Sequence, residues 1–217
     1  YTSQYTLSLH DALPILPSVA EEDLERRAER RRAFLRRLGE IDRSALGTED
    51  RISHDMFRRR LELAVRGFEL REHLLPFTSE TGFHTEFARL PAQMPFRTVE
   101  DYEAYLSRLR AWPDYLGQQL AHLRRGLELG MTQPRAVLDG LEPTIEAHVV
   151  DDPEASVFWT PFASFPRGVP GAEQERLREE GRAAIRESVV PGYRRFLRFF
   201  RERYLPGARP TVGASEL

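Results

Sequence analysis

The sequence predicts an all-α chain of six or seven helices, and three observations support this class. Apolar residues recur at the three- and four-residue spacing of a helix through most of the chain. No stretch sustains the alternation of apolar and polar residues that a half-buried strand requires. With 217 residues, 41% of them hydrophobic, the chain is long enough to bury a substantial core.

Two helices are predicted in the first third of the chain. Ser18, followed three residues later by Glu21, indicates a capping box at the start of a helix that runs to about Leu38. An apolar stripe predicts a second helix over residues 49–75. Pro76 is expected to stop it, because proline cannot donate the backbone hydrogen bond that a helix interior needs.

A third helix is predicted from its cap. Thr98 can accept a backbone hydrogen bond, and Asp101 three residues later suits the positive end of the helix dipole. Leucines and tyrosines continue the buried stripe as far as Gly130, which fits the position just after a helix. Pro113 is expected to break or kink this run.

The remaining helices follow from proline positions and apolar spacing. Pro134 suits the first turn of a helix that reaches about residue 150, with a disturbance expected at Pro143. Further helices are predicted over residues 172–190 and 191–204, and the second of these has a wide apolar face.

Two connections, residues 76–97 and 151–170, are rich in proline and aromatic residues. Long connections in compact domains are often functional, and these aromatic rings offer apolar area to bury. Arg89 could clamp a carboxylate, or it could be an ordinary solvated arginine. Trp159 and its neighbours could line a groove or form a small satellite core. The candidate substrate-cleft residues are Phe83, His84, Arg89, Phe96, Trp159 and Phe162.

Composition and net charge bear on whether the protein binds nucleic acid or spans a membrane. All 32 basic residues are arginine, which a GC-rich genome explains, and the net charge of −2 provides no broad basic field for a polyanion. We therefore expect no nucleic-acid partner, although residues 26–37 could form an Arg-rich RNA-binding arm. No apolar run is long enough for a membrane span. The chain has no cysteine, and its localisation, cytoplasmic or exported, stays open.

The sequence contains none of the short motifs that mark common catalytic or metal sites. It has no HExxH, GxSxG, GxGxxG or P-loop pattern, and no two of its 6 histidines stand four residues apart. Adjacent carboxylates such as Glu179 and Glu180 point in different directions on a helix. We therefore assign no catalytic residue, metal ligand or cofactor within this chain.

Residues 5–15 read YTLSLHDALPI and match the translation of a sequencing adapter. Residues 1–15 are therefore predicted to be an artefact of assembled environmental DNA, with the helical domain in residues 16–217. His10 and Asp11 fall in this stretch and are set aside as functional candidates.

Three long stretches are similar to a known bacterial family. They are ISHDMFRRRLE near residue 52, LPAQMPFRTVEDYEAYLSRLRAWPDYLGQQLAHLRRGLELGMTQPRAVL at residues 90–138, and VVPGYRRFLRFFRERYLPGAR at residues 189–209. In order and spacing they resemble the N-terminal half of the domain of unknown function 885 family, and the similarity covers roughly residues 20–210.

This resemblance implies a helical, zinc-dependent, peptidase-like hydrolase. In such a protein a His-Glu pair followed by Pro-Gly-His would hold zinc, and a metal-bound water would attack the substrate. That element is absent from this sequence, so zinc is expected only in the full-length parent, and this chain alone is predicted to be inactive. The resemblance implies that the chain forms one wall of a cleft for a peptide substrate, with the missing C-terminal half as its partner. The alternative is a free-standing helical module that binds a peptide or partner helix without catalysis.

Overall fold

A computed structural model describes residues 16–78 and 81–213, and across them the all-α prediction is confirmed. The predicted adapter segment, residues 5–15, lies outside the described residues. In the described part, extended pairing is limited to isolated bridges such as that between Phe77 and Gly82. The α-helices are α1 (Glu21–Gly39), α2 (Thr48–Glu69), α3 (Phe83–Ala88), α4 (Leu90–Gln93), α5 (Val99–Leu129), α6 (Leu141–Glu146), α7 (Thr160–Ala163), α8 (Gly171–Ala184), α9 (Val190–Phe199) and α10 (Leu205–Gly207).

Helices α1 and α2 form a hairpin that packs chiefly on itself. Its narrow apolar seam is separate from the main core and contains Ala28, Leu38, Leu61 and Val65. The hairpin is continuous with the rest of the molecule through residues 16–20 before α1 and through a 3₁₀ turn, Glu72–Leu74, after α2.

Both ends of this hairpin differ from the sequence prediction. Helix α1 begins two residues later than expected, because its cap residue is Ala20 and not Ser18. The Ser18 hydroxyl instead donates a hydrogen bond to Asp23 Oδ2 at 2.6 Å. The second helix ends at Glu69, not near residue 75. Arg71 has a left-handed backbone with φ of 57°, which ends the helical run before Pro76 is reached.

Helix α5 is the axis of the main core. Its predicted capping box is confirmed, with Thr98 Oγ1 accepting from the Asp101 amide, and Gly130 follows it with φ of 73°. Pro113 does not break the run, because it lies inside α5, which is 31 residues long, and the alternative of a kink stays a prediction. Trp112 and Leu116 on either side are fully buried, and their packing compensates for the lost backbone hydrogen bond.

The C-terminal helices join into one run, although the sequence predicted separate helices that meet at Pro191. Helices α8 and α9 are linked by a π-helical turn, Ile185–Val189, and a second π turn, Phe200–Tyr204, leads into α10. Pro191 and Pro206 each lie two residues after the last residue of such a turn. Because the hydrogen-bond ladder already changes register there, the missing proline N–H interrupts the helix very little.

The two aromatic connections are folded into the core. Residues 76–97 contain α3 and α4, and residues 151–170 contain two 3₁₀ turns and α7. The predicted helix from Pro134 is also shorter than expected, because a 3₁₀ turn, Arg135–Val137, precedes α6. Aromatic burial explains this ordering, since each ring removes a large apolar area from water. Fully buried rings include Phe77, Tyr102, Tyr105, Trp112, Phe158, Phe162, Tyr193, Phe196, Phe200 and Tyr204.

Candidate functional site

Most of the predicted cleft residues lie in the interior. Phe83 and Trp159 keep only 6% and 7% of their surface exposed, and His84 and Phe162 keep none. The ring of Trp159 is covered by the guanidinium of Arg182, which lies 5.0 Å from its centre. Trp159 and Phe162 therefore belong to the main core, not to a small satellite core, and a role in a cleft stays a prediction for them.

The other two predicted residues lie nearer the surface. Phe96 is half-buried and packs on the rings of Tyr102 and Tyr105. Arg89 is exposed, and its guanidinium bonds the carboxylate of Glu86 at 2.6 Å. Arg89 therefore resembles the ordinary solvated arginine that was the alternative interpretation. Its use as a clamp for a substrate carboxylate stays a prediction.

His84 is held as a neutral core residue. The hydroxyl of Thr144 donates to the Leu141 carbonyl at 2.6 Å, so it must accept from His84 Nε2, 3.1 Å away. The proton therefore sits on Nε2, and the buried Nδ1 has no partner among the described residues. Burial, with a smaller contribution from His148, lowers the pKa of His84 to about 4.

A partly open cavity of about 390 Å³ lies where the hairpin meets the main core. Its walls come from the start of α1, from residues 73–76 and 81–86, and from α5. Phe83 is the one predicted cleft residue that reaches it. Apolar and polar groups mix along these walls, as in many small-ligand and peptide sites. Lining residues include Val19, Leu24, His73, Phe83, Tyr115 and His122.

Three metal-binding side chains converge beside this cavity. Glu21 comes from the first turn of α1, His73 from the 3₁₀ turn after α2, and His122 from the middle of α5. One ligand atom from each lies within 4.8 Å of the others. Glu21 is exposed, His73 is half-buried and His122 is buried, so this donor set extends from the surface into the molecule. Two imidazoles and a carboxylate form a common donor set for zinc.

The two histidine rings are held by their neighbours. His122 Nε2 lies 2.5 Å from the Val19 carbonyl, and because a carbonyl only accepts, Nε2 carries the hydrogen and leaves the lone pair on Nδ1. The His73 ring stacks on Phe68 with centres 5.5 Å apart and meets His122 edge-on at 5.1 Å.

The surroundings of His73 favour the neutral form of its imidazole. Its Nδ1 is buried and has no hydrogen-bond partner among the described residues. Burial, and then the nearby His122, lower the pKa of His73. A neutral imidazole is the form that binds metal ions.

Sequence reasoning missed this cluster because its members belong to three elements far apart in the chain. Short motifs place two ligands on one helix face, and no such spacing occurs here. The only sequence signal was the presence of isolated histidines, which are more often structural. Helix pairing is what joins them, since α1 and α2 must fold back on each other before Glu21 can approach His73.

Comparison with known proteins identifies the family. The model for the family "Bacterial protein of unknown function (DUF885)" matches residues 7–216. No curated protein matches the chain. No helix in the described part of the chain is both long and apolar enough to cross a bilayer. Because the match extends over nearly the entire sequence, the chain belongs to the DUF885 family.

Proposed function

We propose that this chain is the helical, cleft-forming N-terminal part of a zinc-dependent, peptidase-like hydrolase. Family membership and the three similar stretches support this proposal. In this proposal, a His-Glu…Pro-Gly-His element in a C-terminal half would hold the catalytic zinc, which would supply an activated water. This sequence lacks that element, so its own residues bind and orient a peptide and carry out no bond-breaking step.

The outward face of α2 is the observation that carries the proposal. Three large apolar side chains along this face are strongly exposed, with 55% of Ile52, 68% of Met56 and 53% of Leu63 open to solvent. Phe57, which is 45% exposed, lies on a different side of the helix. An exposed apolar patch of this kind usually marks an interaction surface. Its proposed occupant is the C-terminal half of the same domain, which in this proposal packs against the helices described here.

The cavity at the base of the hairpin is the proposed substrate-facing surface. Tyr115 and Gln119 contribute polar atoms, and Gln119 Nε2 donates to the Tyr115 hydroxyl at 2.9 Å. Phe83 and Leu24 contribute apolar surface. Such a mixture can hold a peptide backbone by hydrogen bonds while accommodating an apolar side chain.

The DNA that follows the codon for Leu217 tests this proposal. We expect the reading frame to continue into a His-Glu pair followed by Pro-Gly-His. The extended protein should hydrolyse fluorogenic peptides and lose that activity when zinc is chelated, whereas the 217-residue chain should not hydrolyse them. A stop codon immediately after Leu217, in a gene recovered from an intact genome, would contradict the proposal.

The exposed α2 face also favours a second function, a free-standing helical module that binds a partner helix. An amphipathic partner helix could lay its apolar side against Met56 and Leu63, as in other helix-in-groove complexes. The same stop codon that contradicts the hydrolase would support this module.

A further inference from the structure

We propose that Glu21, His73 and His122 form a divalent-metal site, with zinc as its favoured occupant, that ties the α1–α2 hairpin to α5. The site lies on residues of this chain and is separate from the motif that the family resemblance implies. It therefore does not depend on the proposed hydrolase function, and the two can fail independently.

The spacing of the three donors suits one small ion. Ligand atoms around tetrahedral zinc lie about 3.3 Å apart, so donors that are now within 4.8 Å need to close by at most about 1.5 Å. Glu21 is exposed and free to change rotamer, which makes this closure easy. Two imidazoles on one tetrahedral ion have ring centres about 5.2 Å apart. The rings of His73 and His122 are 5.1 Å apart.

The surroundings of the donors resemble the supporting groups of metal sites. A metal-bound histidine usually donates its other ring N–H to a carbonyl or carboxylate, and His122 donates Nε2–H to the Val19 carbonyl. His73 retains a buried ring nitrogen without a hydrogen bond, and buried polar atoms rarely lack a partner. The adjoining cavity provides space for a water molecule as a fourth ligand.

The position of the site explains what a bound ion would do. Glu21 begins the hairpin, His73 lies in the 3₁₀ turn that follows it, and His122 lies on α5. Among the described residues, this base is also held by the hydrogen bond from the Val19 amide to Gln118 Oε1 at 2.7 Å. The three side chains can bind one ion only when the hairpin is docked against α5. Binding of the ion therefore stabilises the docked state.

Metal titration of the purified 217-residue chain tests the site directly. After removal of metal by a chelator, we expect about one zinc ion per chain to bind and to survive desalting. Zinc should raise the melting temperature, and Co²⁺ in the same site should give the visible spectrum of a tetrahedral nitrogen and oxygen site. Absence of stoichiometric zinc binding would overturn the proposal.

Paired substitutions locate the ion. Glu21→Gln should weaken zinc binding at least about tenfold, because it removes one of three protein ligands. Glu22→Gln removes the same charge from the neighbouring exposed position and should leave zinc affinity unchanged. His73→Gln should weaken binding similarly, whereas His148→Gln should not.

The variants also separate binding at this site from binding at the other histidines. Zinc binding that is equally tight in the wild type, Glu21→Gln and His73→Gln would place the ion elsewhere and overturn the assignment. Because Glu21 is exposed, its substitution is expected to preserve the fold, and circular dichroism of each variant checks this.

Discussion

At the scale of single residues, His84 links stability to pH. The pKa of His84 is about 4 in the folded chain and near its ordinary value of 6.5 in the unfolded chain. Between these values the unfolded chain binds more protons. Stability is therefore fully present above about pH 6.5 and falls as the pH is lowered toward 4, by at most about 3 kcal/mol.

Denaturant unfolding between pH 7 and pH 4 measures this effect. His84→Gln retains an N–H donor for Thr144 but does not titrate, so the dependence of its unfolding free energy on pH should be shallower than in the wild type. Some slope should remain, because burial also lowers the pKa of His148. Identical slopes in the two proteins would show that His84 is not the group responsible.

Gly192 permits a close approach between α9 and α5. A Cβ atom at this position would run into the indole ring of Trp112, which is itself fully buried. Gly192→Ala should therefore lower the free energy of unfolding by about 1–3 kcal/mol, as overpacking does in other cores.

Gly117 supplies the matched control for this prediction. It lies within α5, and a Cβ added there meets no atom within 4 Å. Gly117→Ala should be neutral or stabilising by up to about 1 kcal/mol, because alanine is the better helix former. Urea unfolding of the two variants compares them, and equal effects would contradict the close packing described for α9.

At the scale of elements, the start of α5 is the boundary that the sequence predicted best. The Asp101 carboxylate accepts from the amides of Arg97 at 2.9 Å and Thr98 at 3.1 Å, while Thr98 accepts in return. Capping depends on side chains three residues apart, so local sequence contains the whole signal.

Removing this cap should have a measurable effect. Thr98→Ala should lower the free energy of unfolding by about 1 kcal/mol. Thr48→Ala is the control, because α2 is capped at Gly47 without a side-chain hydrogen bond, and its effect should stay within about 0.5 kcal/mol. Equal effects from the two substitutions, in thermal or urea unfolding, would exclude the cap as a source of stability.

Proline positions predicted the ends of the helices less well. Pro113, Pro191 and Pro206 all lie within continuous helical runs. The sequence shows that each proline lacks a backbone N–H, but it does not show the tertiary contacts that compensate for the lost hydrogen bond. The two π turns depend on packing against α5 and could not be predicted from local propensity.

At the scale of the whole molecule, composition and periodicity were sufficient to predict the fold class but not the functional geometry. Aromatic residues in the two connections were correctly expected to pack, yet their depth of burial depends on α5, α8 and α9 closing over them. The convergence of Glu21, His73 and His122 similarly requires the complete hairpin and its docking. Both are long-range properties that no short stretch of sequence contains.

The exposed face of α2 should control association of the isolated chain. We expect the 217-residue protein to self-associate as its concentration rises, because Met56 and Leu63 are open to solvent. Met56→Glu should shift it toward monomer in sedimentation experiments. Val212→Glu, which changes an equally exposed apolar residue elsewhere, should not. A wild-type protein that stays monomeric at high concentration would contradict this role for α2.

Anomalous X-ray scattering tests directly whether zinc binds at the base of the hairpin. A crystal of the chain equilibrated with zinc, measured at the zinc absorption edge, should show one strong peak bounded by Glu21, His73 and His122. An anomalous map with no peak there, or with its strongest peak at other side chains, would contradict the account.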